Sequence, residues 1–383
     1  MRLCRIAAVP VHITMLLRQQ LRDIVHAGLD LTVVSSPGPI LDEISSSIGV
    51  RCCSIPIMRA PHPIQDLLSL VRIARFLQME QFDIVHSSTP KAGLLAALAG
   101  LMVGVPVRLH TFTGQPWIEQ AGFVRWAGRE SDRLVARLDT HTYADSASQR
   151  QFLIAEGLVK AEKISVLGAG SISGVELQKF DLSAKPAKRH KIRKRLGIPD
   201  GSLVVVFVGR VTKDKGIVEL LASMREIWSQ YQDIHLLLVG QFEPERDPLP
   251  PEALDEIRSN SRIHSVGFVY DPEDFVAAAD IFCLPSYREG FGRVVIEAGA
   301  MELPTLATRV TGLVDSVVDG ETGILVPPKD VPSLVEGLLA LITSPELRKR
   351  MGSAASFRSR TFFDGSIVNK MVIDEYYRLA ARA

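Results

Sequence analysis

Short apolar runs alternate with longer stretches of helical period along most of the chain. Strands are expected near Leu3–Val9, Leu31–Ser35, Ile84–His86, Val107–His110, Thr142–Ala144 and Ile164–Leu167. Helical patterns such as Ile64–Met79 and Lys91–Gly100 lie between them. Strand followed by helix, repeated, predicts a parallel sheet with both faces covered. Around Asp181–Arg195 the alternation stops, and Lys185, Lys188, Arg189, Lys191, Arg193, Lys194 and Arg195 crowd around Pro186. It then restarts with Leu203–Val208, followed by His235–Val239, Ile263–Val266, Ile281–Leu284, Thr305–Ala307 and Gly323–Val326. Ile217–Trp228, Glu273–Ala279 and Val294–Glu302 read as helices among these strands. The pattern predicts an α/β protein of two doubly wound domains facing each other across a cleft. The expected boundaries are an N-terminal domain over 1–175, a basic linker over 176–197 and a C-terminal domain over 198–362. The remaining 363–383 holds an amphipathic helix, about Gly365–Leu379, able to cross back to the first domain.

A length of 383 residues suits two domains, and 46% hydrophobic with 23% charged residues is an ordinary globular mixture. A net charge of +1 gives no global reason to expect nucleic acid, so any electrostatic partner must meet a local patch. The basic cluster at 185–195 reads first as a solvated linker and helix start, with a patch for anionic lipid or phosphate as the alternative. Cys4, Cys52, Cys53 and Cys283 match neither a disulfide framework nor a zinc pattern and are expected reduced, which fits a cytoplasmic setting. The apolar stretch after Arg5 is broken by Pro10 and His12, and reads as a first strand and helix rather than a signal peptide. No run reaches the ~18 apolar residues of a spanning helix.

Two loops carry chemistry. Arg288-Glu289-Gly290-Phe291-Gly292-Arg293-Val294-Val295-Ile296-Glu297 follows the strand Ile281–Leu284 and opens a helix. Gly290 and Gly292 allow close backbone approach, and free amides at a helix N-terminus can receive a diphosphate. Glu289 and Glu297 can each accept from two sugar hydroxyls. The second loop, Gly209-Arg210-Val211-Thr212-Lys213-Asp214-Lys215-Gly216, also joins a strand to a helix. Arg210 and Lys215 can bring two positive charges to one set of phosphates. The string lacks the spacing and the Lys-Ser/Thr end of a Walker loop, and there is no D-x-D at a strand end to hold a divalent ion. Glu289 and Glu297 alone would also suit an exposed helix start with favourable dipole contacts; beside Arg210 and Lys215 they make a binding constellation.

With Arg210 and Lys215 upstream, the Glu289/Glu297 spacing resembles the GT4 family of retaining glycosyltransferases, and the resemblance extends over nearly the whole chain. It implies the GT-B fold of two Rossmann-like domains, a nucleoside-diphosphate-sugar donor (a UDP-sugar favoured) as substrate, and no cofactor or metal. It assigns the diphosphate to Arg210 and Lys215, the ribose hydroxyls to Glu297 and the hydroxyls of the transferred sugar to Glu289. Gly290, Phe291 and Gly292 would offer backbone amides. His110 matches a family histidine that faces the donor sugar, although a lone histidine at a strand end is often a packed core residue.

His86-Ser87-Ser88-Thr89-Pro90-Lys91-Ala92-Gly93 and Thr111-Phe112-Thr113-Gly114-Gln115 look like stretches of GT4 members that build bacterial surface polysaccharides, which makes Lys91 and Thr113 acceptor-side candidates. Gly170-Ser171-Ile172-Ser173-Gly174-Val175-Glu176 is similar too, with Glu176 where an aspartate is more usual. The first-strand loop departs from the family, with Val9-Pro10-Val11-His12 in place of Gly-Gly. Arg125, Arg129, Arg133 and Arg137 recur every four residues after Trp117, Phe123 and Trp126. Such a stripe suits either a solvated face or an anionic membrane surface on the inner side of the cell membrane. The expected activity is transfer of a hexose-type sugar to a glycan or lipid-linked glycan. A nucleotide-sugar 2-epimerase and a non-catalytic nucleotide-sugar binder are the competing readings.

Overall fold

The computed structural model describes residues 1–382 apart from Arg59, Arg246 and the side chain of Met15. The chain forms two compact units, Met1–Gly174 with Gly365–Ala383, and Val175–Asp364.

The first unit is built on seven parallel strands: β1 (Arg2–Ile6), β2 (Asp30–Ser35), β3 (Arg51–Ser54), β4 (Ile84–Ser87), β5 (Val107–Phe112), β6 (His141–Ala144) and β7 (Ile164–Ser165). Their spatial order is β3-β2-β1-β4-β5-β6-β7, so the winding reverses between β1 and β4. Parallel strands need helical crossovers that cover both faces, which is why the central strands β1, β4 and β5 are buried almost throughout. Several of the crossover helices begin on proline, among them Pro10–His26, Pro39–Ile48, Pro63–Glu80 and Pro90–Met102; there the missing N–H costs nothing. Strand β3 was not expected. It is an edge strand of sequence Arg-Cys-Cys-Ser, with no run of aliphatic residues to announce it.

The last helix, Gly365–Ala380, belongs to this first unit. Val372 and Tyr376 pack among Leu17, Leu21 and Tyr143. The Tyr376 hydroxyl lies 2.7 Å from His86 Nδ1, and Asn369 donates to Asp23 at 2.7 Å. All four cysteines are free thiols, and Cys4 and Cys283 are buried.

The second unit contains β8 (Leu203–Val208), β9 (Ile234–Val239), β10 (Ile263–Ser265), β11 (Ile281–Leu284), β12 (Thr305–Thr308) and β13 (Gly323–Val326). These six strands are also all parallel, in the order β10-β9-β8-β11-β12-β13. The reversal of winding falls between β8 and β11.

The segment expected as a linker, 176–197, is not one. Val175 already belongs to the second unit, and Lys185–Leu196 is a helix of that unit. Arg193 is wholly buried; it pairs with Asp280 at 2.8 Å and donates to the carbonyls of Ala278, Pro199, Asp200 and Ser202. Arg189 shares Asp280, while Lys188 and Lys191 pair with Asp274. Charge density made the stretch look solvated. Lys191, Lys194 and Arg195 are exposed, but Arg189 and Arg193 are spent on the Ala278 carbonyl and on Asp280, the acid that precedes β11.

Candidate functional site

In an open parallel sheet, ligands bind beyond the carboxyl ends of the strands, where the winding reverses. In the second unit that place lies between the loops after β8 and β11, the two loops that carry the motifs. Gly216, at φ +72°, starts the helix Ile217–Gln230, and a Cβ there would stand 2.1 Å from the Pro285 carbonyl oxygen. The loops therefore touch backbone to backbone, and only glycine fits. Tyr287 N–H donates to the Asp214 carbonyl at 2.9 Å, and Arg288 pairs with the Asp214 carboxylate at 2.9 Å.

This contact brings Arg210, Lys215 and Glu289 together. Lys215 Nζ is ion-paired with Glu289, whose carboxylate also accepts from Ser286 Oγ at 2.9 Å. Arg210 reaches Glu243 at 2.8 Å and Asp214 at 3.3 Å. Burial alone would lower the Arg210 guanidinium, but Asp214 and Glu243 outweigh it and carry its pKa above the ordinary value. Burial likewise pushes the Asp214 carboxyl up; Thr212, Arg210, Lys215 and Arg288 together hold it below its usual range.

Beyond Glu289 the chain turns through Gly292, at φ +83°, into the helix Arg293–Ala300, and no side chain caps that N-terminus. A Cβ on Gly292 would come 2.6 Å from Leu313 Cδ2, and one on Gly312 would meet the Gly290 carbonyl carbon at 2.6 Å. Both glycines are thus fixed by close approach. Phe291 is buried, its ring 5.1 Å from that of Phe363, so it can offer the site only backbone. Glu297 sits one turn into the helix, nearly buried and ion-paired with Arg293. The ensemble provides two cations, two sugar-compatible carboxylates and an uncapped helix start at one sheet edge. Asp214, Glu243, Arg288 and Arg293 are part of it and were not anticipated. An acid soon after the strand-ending Gly240 was the available hint for Glu243. Among the described residues no group of three or more His, Cys, Asp or Glu is placed to hold a metal ion.

The other expected residues stand in the first unit. His110, on β5, is buried with Nδ1 2.8 Å from Ser87 Oγ and its ring edge-on to Phe112. Gly93 makes room for it, since a Cβ there would fall 2.6 Å from the imidazole. Burial pushes its pKa down to about 3, so it is a neutral imidazole at physiological pH. Lys91 is turned to Asp66, at 2.8 Å, and Thr113 Oγ1 donates to the Ser88 carbonyl at 3.3 Å. At this sheet's own switch point, Thr89 Oγ1 accepts from Ala8 N–H at 2.9 Å, and His12 Nε2 lies 3.1 Å from Ser88 Oγ. The Val9–His12 stretch that departs from Gly-Gly is therefore tied to the loop after β4.

The arginine stripe resolves into two kinds of residue on the helix Gly122–Leu138. Arg129 pairs with Glu156 and Arg133 with Glu130, so neither is a free surface charge. The first turns leave Phe123 75%, Val124 61% and Trp126 57% exposed. Among the described residues no helix is long and apolar enough to cross a membrane.

Two family models match the chain, "Glycosyl transferase 4-like domain" over residues 13–170 and "Glycosyl transferases group 1" over 188–357. The capsular polysaccharide biosynthesis glycosyltransferase CapM of Staphylococcus aureus is 33% identical over 92% of this chain and 91% of its own. A UDP-Gal:alpha-D-GlcNAc-diphosphoundecaprenol alpha-1,3-galactosyltransferase of Escherichia coli is 26% identical over 80% of this chain and 78% of its own. Among solved structures, Anabaena Alr3699/HepE, in complex with UDP and glucose, superposes with a TM-score of 0.82 at 19% identity, covering 98% of this chain and 99% of that one. The sucrose-phosphate synthase of Thermosynechococcus elongatus gives 0.80 at 19% identity, with 100% of both chains covered.

Proposed function

The chain belongs to the GT4 glycosyltransferases, with their GT-B fold, and from that premise we propose that it moves a hexose-type sugar from a UDP-sugar to a lipid-linked glycan with retention of configuration. One observation carries the donor half of this reading. Arg210, Lys215 and the uncapped N-terminus at Gly292 converge where the second sheet reverses its winding. Two guanidinium or ammonium charges and a helix dipole suit a diphosphate, through charge-assisted bonds and oriented amides. Glu289 and Glu297 then take hydroxyls of the transferred sugar and of the ribose. The choice of UDP is supported by the ligand of the Anabaena neighbour, and that of a lipid-linked acceptor by the name of the Escherichia coli relative.

The sugar C1–O bond to the diphosphate breaks as the acceptor oxygen bonds C1 on the same face. The acceptor proton passes to the departing phosphate oxygen, so no protein nucleophile is needed. Arg210, Lys215 and the helix start stabilise the charge that grows on the leaving group, which is where electrostatic preorganisation lowers a barrier. His110, buried in the first unit, is a neutral imidazole, able to give a hydrogen bond rather than a charge. Metal independence is part of the proposal: chelation with EDTA leaves transfer intact.

The acceptor half rests on the exposed Phe123, Val124 and Trp126, with Arg125 exposed among them. Apolar rings beside an arginine suit the interface of an anionic bilayer, where an acceptor with a lipid tail resides. The protein is then peripheral on the inner face of the cell membrane.

The test is incubation with UDP-sugars, with and without a polyprenyl-diphosphate-sugar acceptor, followed by NMR of the product anomer. Product that forms only with acceptor, with the donor's anomeric configuration, supports the proposal. An inverted linkage sinks retention. Isomerised donor without acceptor makes the protein an epimerase, and binding without any turnover makes it a sensor.

A further inference from the structure

The cations of the donor site are occupied by the protein's own acids. Lys215 is held by Glu289, a residue of the site itself, but Arg210 is held from another loop. Beyond β9, Val211 N–H donates to the Gln241 carbonyl at 2.8 Å, and Val211 and Phe242 continue the β8–β9 pairing past the strand ends. Close approach at the base of the loop makes this extension possible, since a Cβ on Gly240 would fall 1.6 Å from the Gly209 carbonyl oxygen. One residue later, Glu243 Oε2 lies 2.8 Å from Arg210 Nη1, with its side chain only 10% exposed. Asp247 of the same stretch accepts from Asp214 N–H at 2.6 Å and pins the loop at a second point.

A diphosphate that takes Arg210 would stand beside a desolvated carboxylate of its own sign. Asp214 is not free to leave. It is part of the Arg210 loop itself and also binds Thr212 at 2.6 Å and Arg288 at 2.9 Å. Glu243 reaches in from a different loop, on a longer side chain.

We propose that Glu243 is a resident counter-anion for Arg210, which holds the guanidinium in place while the site is empty, yields to the donor diphosphate and competes the nucleoside diphosphate product off again. This rests on the reading of Arg210 as a diphosphate ligand. It adds a residue that sets how tightly donor and product are held, and so how fast product leaves. A cationic site that binds donor and product alike must be weakened somewhere for turnover to continue.

The test is calorimetric titration of the full chain and its Glu243→Gln, Arg210→Ala and doubly substituted forms. UDP, GDP, ADP and inorganic pyrophosphate serve as ligands, with uridine as the phosphate-free control. The expected result is at least about fivefold tighter binding of diphosphate ligands to Glu243→Gln, the lower end of ordinary site-to-site coupling. Uridine affinity stays unchanged, and the gain disappears in the Arg210→Ala background. With turnover, KM for the donor and kcat fall together, and Glu243→Asp lies between. Equal or weaker diphosphate binding by Glu243→Gln, while Arg210→Ala loses affinity, overturns the counter-anion role and leaves the diphosphate site standing. Unaltered affinity in Arg210→Ala overturns the diphosphate reading beneath it. If Glu243→Gln fails to fold, Glu243→Ser answers the same question, since a void at that position also frees Arg210.

Discussion

Lys215 and Glu289, 74 residues apart in sequence, are ion-paired across the two loops that flank the reversal of winding in the second sheet. The pair is nearly buried, at 13% and 16% side-chain exposure. Its partners are therefore held at a defined position before any ligand arrives, and the chemistry assigned to each depends on the other. Lys215 directs the Glu289 carboxylate, and Glu289 keeps the Lys215 ammonium inside the site rather than out in water.

Replacing one partner should consequently cost more than replacing both with a matched apolar pair, because a buried charge is left alone. If Lys215 binds the donor diphosphate as proposed, Lys215→Ala should remove charge-assisted bonds worth roughly 1.5–3 kcal/mol in the ground state. UDP affinity should fall by about one to two powers of ten, at 1.4 kcal/mol for each tenfold. The fall in transfer rate should be larger, since charge grows on the leaving group. Calorimetry with UDP and initial rates at saturating donor separate the two effects. Wild-type values for both would remove Lys215 from the site.

Gly216→Ala tests the contact between the loops without touching a charged group. The new Cβ would need to occupy space 2.1 Å from the Pro285 carbonyl oxygen, at φ +72°. The left-handed conformation alone costs roughly 1–2 kcal/mol for a residue with a Cβ, and the backbone of the neighbouring loop cannot swing aside as a side chain would. A fall in Tm of several degrees is expected in the second unit, with weaker nucleotide binding. Gly201→Ala is the control: no atom lies within 4 Å of its Cβ position, and it should be nearly silent in both measurements.

The pH dependence of stability should carry the mark of Asp132. Its carboxylate accepts from Trp117 Nε1 at 2.7 Å, yet burial raises its pKa to about 7. An acid whose folded pKa lies above its unfolded value is more protonated in the folded state. It costs nothing below about pH 4; the cost accrues as pH climbs towards 7 and is constant above. Asp139, raised to about 8 by burial, acts in the same direction. Buried His86 and His110, both depressed by burial, act oppositely and cost stability as pH falls below their usual range. Asp132→Asn keeps an acceptor for Trp117 and removes one titration. Relative to the native chain it should gain stability at pH 8, by at most a few kcal/mol at 1.36 per pKa unit, with the gain vanishing near pH 4. Denaturant midpoints at the two pH values check it, and a gain independent of pH would refute the assignment.

Much of this architecture could be read from the chain, and the exceptions have physical reasons. Leu203–Val208 and Ile281–Leu284 are central parallel strands buried on both faces, so an unbroken apolar run marked their ends. Arg210, Lys215, Glu289 and Glu297 could be singled out as candidates because each lies at a fixed spacing from a strand end or a glycine. Glu243 was not, because its contact with Arg210 spans 33 residues and depends on β8 and β9 being neighbours. The basic run at 185–195 misled for a related reason. Sequence reports that Arg193 is charged; only the packing reports that carbonyls and Asp280 wait for it. Phe123 and Trp126 beside the arginines suited either a solvated face or a membrane surface, and their exposure emerged only once the helix had a buried side.

That exposure yields the last prediction. Phe123 and Trp126 lie with ring centroids 5.5 Å apart on the first turns of their helix. The helix packs beside Pro90–Met102, which in turn packs on Pro63–Glu80. The outer of these helices exposes Ile64 at 70% and Leu67 at 61%, with Arg72 and Arg75 also exposed. All three helices follow strands of one parallel sheet, so their first turns lie at the same edge of it. Apolar side chains interspersed with arginine gain from a bilayer twice, by removing roughly 25 cal/mol per Å² of apolar surface from water and by attraction to anionic headgroups. The native chain should sediment with phosphatidylglycerol vesicles, more weakly with phosphatidylcholine, and less at high salt. Phe123→Ser with Trp126→Ser should lower that binding several-fold, while affinity for UDP, the proposed donor nucleotide, should stay unchanged. Trp126 is the natural reporter, and a blue shift of its emission on adding anionic vesicles should disappear when Phe123→Ser prevents insertion. Equal sedimentation by native and substituted chains would remove the patch from any role in membrane binding.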